Sequence, residues 1–76
     1  MDIKKFIENF AEQFDETSVG QITSTTRFRD LDEWSSIIAL SVIAMIDEEY
    51  DVVMKGDDMR AANTVEELFN IVKSKK

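Results

Sequence analysis

The chain has 76 residues, with no cysteine, no histidine and no proline, and its 16 acidic and 9 basic side chains give a net charge of −7. This length predicts one domain, residues 1–76, around one small core. The composition excludes disulfides, thiolate metal sites and Ser-His-Asp or Cys-His catalysis. The negative charge argues against a nucleic-acid partner. The lack of a long apolar run or a signal peptide predicts a cytoplasmic protein with no membrane span.

Residues 2–14 are predicted to form the first helix, with Asp2 capping its start. Apolar residues recur at helical spacing on one face, as expected of an amphipathic helix that packs on a core. The members of this face are Ile3, Phe6, Ile7, Phe10 and Phe14.

Residues 15–34 show no sustained periodicity and are predicted to be a long connection, which is often functional at this length. Four apolar residues in it are expected to pack on the core: Val19, Ile22, Phe28 and Leu31. Two arginines, Arg27 and Arg29, lie among acids and are expected to pair with them.

Residues 36–50 are predicted to form the central helix, with Ser35 or Ser36 as its N-cap. A helix this apolar must be covered by the rest of the chain or keep one strip for a partner. Its main buried stripe is predicted to contain Ile38, Val42, Met45 and Ile46, widened by Ile37, Leu40, Ile43 and Ala44.

The C-terminal third is predicted to hold a second connection, residues 51–63, and a last helix, residues 64–73. Gly56 is expected to mark a turn, followed by a short helical turn through residues 59–61 that Asp57 or Asp58 could cap. Thr64 and Glu67 have capping-box spacing. The predicted fold is therefore all-α, an antiparallel bundle of three main helices with one short helical turn.

The excess negative charge is concentrated around the central helix. Residues 30–58 contain nine acids and one base, a net of −8, whereas the rest of the chain has seven acids and eight bases, a net of +1. Such a field can steer a basic partner onto this face. The alternative is that the acids only keep a small protein soluble.

The acids do not form a recognisable metal or catalytic motif. Asp30 and Asp32 start a calcium-loop pattern, but Trp34 occupies the third ligand position and no glycine follows. Asp47, Glu48 and Glu49 are consecutive in the predicted helix, so their side chains point in different directions. With no nucleophile and base pair either, we expect neither a metal site nor an enzyme.

The centre of the chain, DLDEWSSIIALSVIAMIDEEYDV, resembles the acyl carrier proteins and the related peptidyl and D-alanyl carrier proteins. That family has Asp-Ser-Leu at the start of its second helix, often after Trp, and the helix ends in acids and an aromatic residue. Its last helix commonly opens with Thr-Val, as at Thr64-Val65. The resemblance covers essentially the whole chain. Residues that match in register are Trp34, Ser36, Ile37, Asp47, Glu48, Glu49 and Tyr50.

The resemblance implies a monomeric carrier of acyl or aminoacyl groups in fatty acid, lipid or polyketide-type synthesis. A phosphopantetheinyl transferase, using coenzyme A and Mg²⁺, would attach 4′-phosphopantetheine to Ser36, and the thiol of that arm would carry the cargo as a thioester. Acyl-transferring and synthase enzymes with basic docking patches would be the other partners. The residues expected to contact them are Ile37, Met45, Asp47, Glu48 and Asp51.

Three positions depart from the family pattern. Ser35 replaces the Asp of the triplet, which makes Ser35 a second candidate for the attachment site. Ile37 replaces Leu, which is a mild change, and Ser41 stands where a Glu is frequent. A different interpretation is that both serines only cap the helix, and that the chain is an unmodified helical interaction module whose acidic face binds a basic partner protein.

Overall fold

The computed structural model describes residues 2–76 and contains four α-helices: α1 (Ile3–Ala11), α2 (Ser36–Tyr50), α3 (Gly56–Ala61) and α4 (Val65–Lys75). No residue in that range lies in a β-strand. The prediction of an all-α fold with three long helices and one short helical segment is confirmed.

Helix α1 is shorter than predicted, because it ends at Ala11 rather than at residue 14. Asp2 caps it as expected, with a carboxylate oxygen that accepts from the Lys4 N–H at 3.0 Å. After the helix, the chain turns tightly, and the Phe14 N–H donates to the Ala11 carbonyl at 3.1 Å. Phe14 is therefore still buried.

Helices α1 and α2 run antiparallel, as two aromatic contacts at opposite ends show. Phe6, near the start of α1, lies 5.6 Å from Tyr50 at the end of α2. Phe14, just beyond α1, lies 6.2 Å from Trp34, just before α2. Helix α4 joins them through Phe69, whose ring lies 5.3 Å from Phe6. The residues that are fully buried in this shared core are Phe6, Phe10, Phe28, Ile46, Leu68, Val42, Val65 and Val72.

The long connection contains two 3₁₀ turns, Val19–Gln21 and Phe28–Asp30, so it is more ordered than its sequence predicts. Ile22 and Phe28 are buried as expected, whereas the prediction for Val19 is wrong, since it is 51% exposed. The first half of the connection ends in a turn, and residues 24–26 of that turn lie against α4.

Two backbone hydrogen bonds tie this connection to the start of α4. The Val65 N–H donates to the Thr26 carbonyl at 3.1 Å, and the Glu66 N–H donates to the Ser24 carbonyl at 2.9 Å. These N–H groups lie in the first turn of the helix and have no partner within it. The connection therefore completes the N-terminus of the last helix.

Helix α3 begins at Gly56, which the sequence predicts to be a turn, so that expectation is corrected. Asp58 stabilises the start by accepting from the Lys55 N–H at 3.0 Å. The same carboxylate forms an ion pair with Lys75 of α4 at 3.3 Å. The N–H of Lys55 and the charge of Lys75 lower the pKa of Asp58. Helix α3 is thus fixed to α4 at one end.

Helix α4 begins with the capping box that the sequence predicts. The Thr64 hydroxyl accepts from the Glu67 N–H at 3.2 Å, and the Glu67 carboxylate accepts from the Thr64 N–H at 3.3 Å. The helix continues to Lys75, two residues beyond its predicted end. None of the helices in residues 2–76 has the length and apolarity to cross a membrane.

Candidate functional site

The two serines at the start of α2 have different roles. Ser35 is the N-cap: its backbone is extended, and its hydroxyl accepts from the Ile38 N–H at 3.3 Å. Ser36 is the first helical residue, is exposed, and its hydroxyl makes no hydrogen bond within residues 2–76. Of the two candidates, Ser36 therefore presents the hydroxyl that is free to react.

Trp34 anchors the backbone immediately before these serines. The backbone N–H of Trp34 donates to the Leu31 carbonyl at 3.0 Å. Its ring lies 4.8 Å from that of Phe28 and stacks at 6.3 Å on Phe10, with 12° between the planes. Aromatic contacts of this kind add to the stability gained from burial. The start of α2 is therefore packed against an aromatic cluster that includes Phe10 of α1.

Glu33 connects the same segment to the turn after α1, a role that the sequence analysis missed. Its carboxylate accepts from the N–H groups of Asp15 at 2.6 Å, Glu16 at 3.1 Å and Thr17 at 2.9 Å, and from the Thr17 hydroxyl at 2.9 Å. Partial burial raises the pKa of Glu33, but these hydrogen bonds outweigh it and hold the pKa below its ordinary value. Glu33 therefore has a structural role. Sequence spacing does not reveal it, because its hydrogen-bond partners lie 16 to 18 residues earlier in the chain.

The acidic residues at the end of α2 form an exposed surface. Asp47, Glu48, Glu49 and Asp51 are all exposed. Asp51 ends the helix in the left-handed region, with φ 56° and ψ 42°, and its N–H donates to the Asp47 carbonyl at 3.0 Å. This acidic surface is therefore accessible to solvent along its length.

Two apolar residues near the start of α2 are also exposed. Ile37 is 74% exposed, as the predicted contact surface requires, and Leu40, one helical turn further, is 65% exposed. The prediction that Met45 belongs to this surface is wrong, because Met45 is only 5% exposed and packs in the core. The burial of Met45 agrees with its position on the predicted buried stripe. Leu40 was predicted to widen that stripe but is exposed instead, which makes it a contact candidate that the sequence analysis missed.

An apolar groove lies between α2 and α3, next to Ser36. Its volume is about 300 Å³, within the lower range of ligand-binding pockets. Ser36 is one of its lining residues, and its walls are mainly apolar. The wall residues from α2 and its approach are Trp34, Ala39, Leu40 and Ile43, and α3 contributes Met59.

The expectation that both arginines of the long connection pair with acids holds only for Arg27, which lies 3.3 Å from Asp30. Arg29 instead donates to the carbonyls of Met59 at 3.4 Å and Arg60 at 3.1 Å, and to the side-chain oxygen of Asn63. Carbonyls at the end of a helix lack partners within it and attract cations. Arg29 thus caps α3 and fixes one wall of the groove.

Two arrangements that would support chemistry at this site, a metal cluster and an activated nucleophile, are not seen among residues 2–76. In residues 2–76, no three acidic side chains lie close enough together to hold a metal ion. Ser36 has no hydrogen-bonded base that would activate it as a nucleophile.

Comparison of the chain with models of protein families, with curated proteins and with solved structures finds no match in any of the three. The resemblance to carrier proteins therefore depends on the sequence pattern alone. The function that this similarity implies is therefore a proposal, to be argued from the geometry around Ser36.

Proposed function

We propose that this protein is an acyl carrier protein that bears 4′-phosphopantetheine on Ser36. The observation that carries the proposal is the pair of serines: Ser35 uses its hydroxyl to cap α2, while the hydroxyl of Ser36 is exposed and has no intramolecular partner. This division of roles also favours Ser36 over Ser35 as the attachment site.

In the proposed modification, the Ser36 oxygen attacks the β-phosphate of coenzyme A. A phosphodiester forms, adenosine 3′,5′-bisphosphate leaves, and a base of the transferase takes the hydroxyl proton. The new phosphate would lie at the N-terminus of a 15-residue helix whose first turn contains no acid. The free N–H groups and the dipole of that turn favour a negative group there.

The surface beside Ser36 supports transfer between partner enzymes. Exposed Ile37 and Leu40 offer apolar contact area, and Asp47, Glu48 and Asp51 supply negative charge further along α2. Charge complementarity chiefly speeds encounter and sets orientation. A carrier that visits several enzymes needs such brief, correctly oriented contacts.

The second candidate is an unmodified interaction module that binds a basic partner through the same surface. Its support is Ser35, which caps α2 without the carboxylate that the carrier family has there. In this case Ser36 would be dispensable, and the exposed Ile37 and Leu40 would carry the function.

Intact-mass measurement after coexpression with a broad-specificity phosphopantetheinyl transferase distinguishes the two. We expect a gain of one phosphopantetheine unit that is lost in Ser36→Ala and retained in Ser35→Ala. A gain lost only in Ser35→Ala would keep the function and move the site by one residue. No gain with any transferase, including those of the native host, would favour the interaction module.

A further inference from the structure

The groove next to Ser36 combines apolar walls with two guanidinium groups. Arg29 and Arg60 are lining residues together with Leu40, Ile43 and Met59. Two of the three arginines in this acid-rich chain thus lie at the same groove, although acids outnumber bases by 16 to 9. A site with this lining suits a ligand that has an apolar body and a negatively charged end.

Arg29 keeps its positive charge unneutralised. It belongs to none of the ion pairs within residues 2–76, and its three hydrogen-bond acceptors are the neutral oxygens of Met59, Arg60 and Asn63. These acceptors use Nη1 and Nη2, so Nε has no partner in the same range. The guanidinium is therefore held in place while part of its donor capacity is still available.

Arg60 is available for a different reason. Its partner is Asp57, and both side chains are largely exposed, at 72% and 90%. An exposed ion pair of this kind contributes little stability and is easily exchanged for another partner. A carboxylate that entered the groove could therefore compete with Asp57 for this guanidinium.

We propose that the groove binds an acyl chain that ends in a carboxylate, with Arg29 and Arg60 contacting the carboxylate and the apolar walls contacting the chain. This inference rests on the proposed function for its cargo, because the arm that carries the chain would be attached beside the groove, at Ser36. It narrows the cargo to acyl groups with a second, distal carboxyl group. An acyl chain that ends in a methyl group would gain the apolar contacts but none of the charge-assisted hydrogen bonds.

The test uses the full, unmodified chain and free probes, so that it does not depend on the arm. Octanoate, octanol and octylammonium each have eight carbon atoms and differ mainly in the charge of the end group. Binding is measured by calorimetry, and the emission of Trp34, the only tryptophan of the chain and a lining residue, locates the probe. We expect octanoate to bind about tenfold more tightly than octanol, which corresponds to about 1.4 kcal/mol, and octylammonium to bind most weakly.

Three variants assign the effect to the groove. Arg29→Gln and Arg60→Gln should each reduce the preference for octanoate over octanol, whereas Lys4→Gln removes the same charge from α1 and should leave it unchanged. Arg29→Lys should restore part of the preference, because it keeps the charge. Helix content measured by circular dichroism shows whether each variant is folded, and Arg60→Gln tests the groove even if Arg29→Gln unfolds.

The proposal is overturned if octanoate binds no better than octanol, if no probe binds, or if Lys4→Gln reduces the preference as much as both groove variants. Each of these results leaves the modification of Ser36 untouched, since that is measured separately by intact mass. Conversely, a groove that selects octanoate in a chain that no transferase modifies would establish the binding site and refute the carrier function.

Discussion

The side-chain amide of Asn9 in α1 donates a hydrogen bond of 3.1 Å to the hydroxyl of Tyr50 at the end of α2. Both residues are buried, and Asn9 is the only polar side chain of residues 2–76 in the core. The bond joins the two antiparallel helices at the end opposite to Trp34 and Ser36. This hydrogen bond therefore helps to set the position of α2 relative to α1 along the direction of the two helices.

Tyr50→Phe should destabilise the protein by about 1–3 kcal/mol, because it leaves the buried Asn9 amide without its partner. Chemical denaturation measures the loss. Adding Asn9→Leu to Tyr50→Phe should recover part of it, since the double variant has no unsatisfied polar group at this contact. A loss below about 0.5 kcal/mol in Tyr50→Phe would mean that water replaces the missing hydroxyl.

Ser35→Ala and Ser36→Ala should differ in their effect on stability. Ser35→Ala removes the N-cap of α2 and should cost about 1 kcal/mol. Ser36→Ala removes an exposed hydroxyl without a partner and should stay within about 0.5 kcal/mol. Denaturation midpoints of the two variants provide the measurement. Equal losses would contradict the assignment of Ser35 as the cap.

Met45→Ala and Leu40→Ala test which apolar residue of α2 is in the core. Met45→Ala should cost about 2–5 kcal/mol, because it opens a cavity among buried side chains. Leu40→Ala should stay within about 0.5 kcal/mol, because Leu40 is mostly exposed and alanine is a good helix former. The same denaturation experiment measures both variants, and a reversed order would refute the burial of Met45.

The hydrogen bonds of Glu33 predict a dependence of stability on pH. The pKa of Glu33 is lower in the folded than in the unfolded state, where it is about 4.3. Its contribution is therefore fully present above that value and is lost as the pH falls through the folded pKa. The difference in unfolding free energy between wild type and Glu33→Gln should be largest near neutral pH and should shrink below about pH 4.3. A difference that stays constant from neutral to acidic pH would contradict the low folded pKa.

The acidic end of α2 should control the rate of modification by a basic transferase. Asp47→Asn with Glu48→Gln should slow attachment of the arm, and the slowing should diminish at high salt, because salt screens exposed charges. The matched control, Glu12→Gln with Glu66→Gln, removes two charges elsewhere and should have a smaller effect. Initial rates from intact-mass time courses at low and high salt give the comparison, and equal slowing by both pairs would indicate an effect of net charge alone.

Much of the helical architecture follows from local signals in the sequence. The bounds of α2 agree with its prediction, and the Thr64 and Glu67 capping box is where the spacing places it. Local propensity says less about short segments, and Gly56 is an example. Its usual role in turns is overridden because the Asp58 carboxylate accepts from the Lys55 N–H and starts a helix at that point.

The site was only partly predictable for a related reason. The free hydroxyl of Ser36 and the exposure of Ile37 follow from their position at a helix start. The roles of Glu33 and Arg29 do not, since their partners lie 16 to 18 and 30 to 34 residues away in the sequence. The burial of Met45 follows from its place on the apolar stripe of α2, whereas the exposure of Leu40 depends on where α1 and α3 pack on α2, which no single helical pattern specifies.

The two hydrogen bonds between residues 24–26 and the start of α4 have a consequence for proteolysis. Ser24 and Thr26 use their carbonyls to complete a helix about 40 residues further along the chain. A protease needs an extended, accessible backbone, and this segment can adopt one only when α4 undocks. Cleavage within the long connection should therefore report the opening of the C-terminal helix, even though the two lie far apart in the sequence.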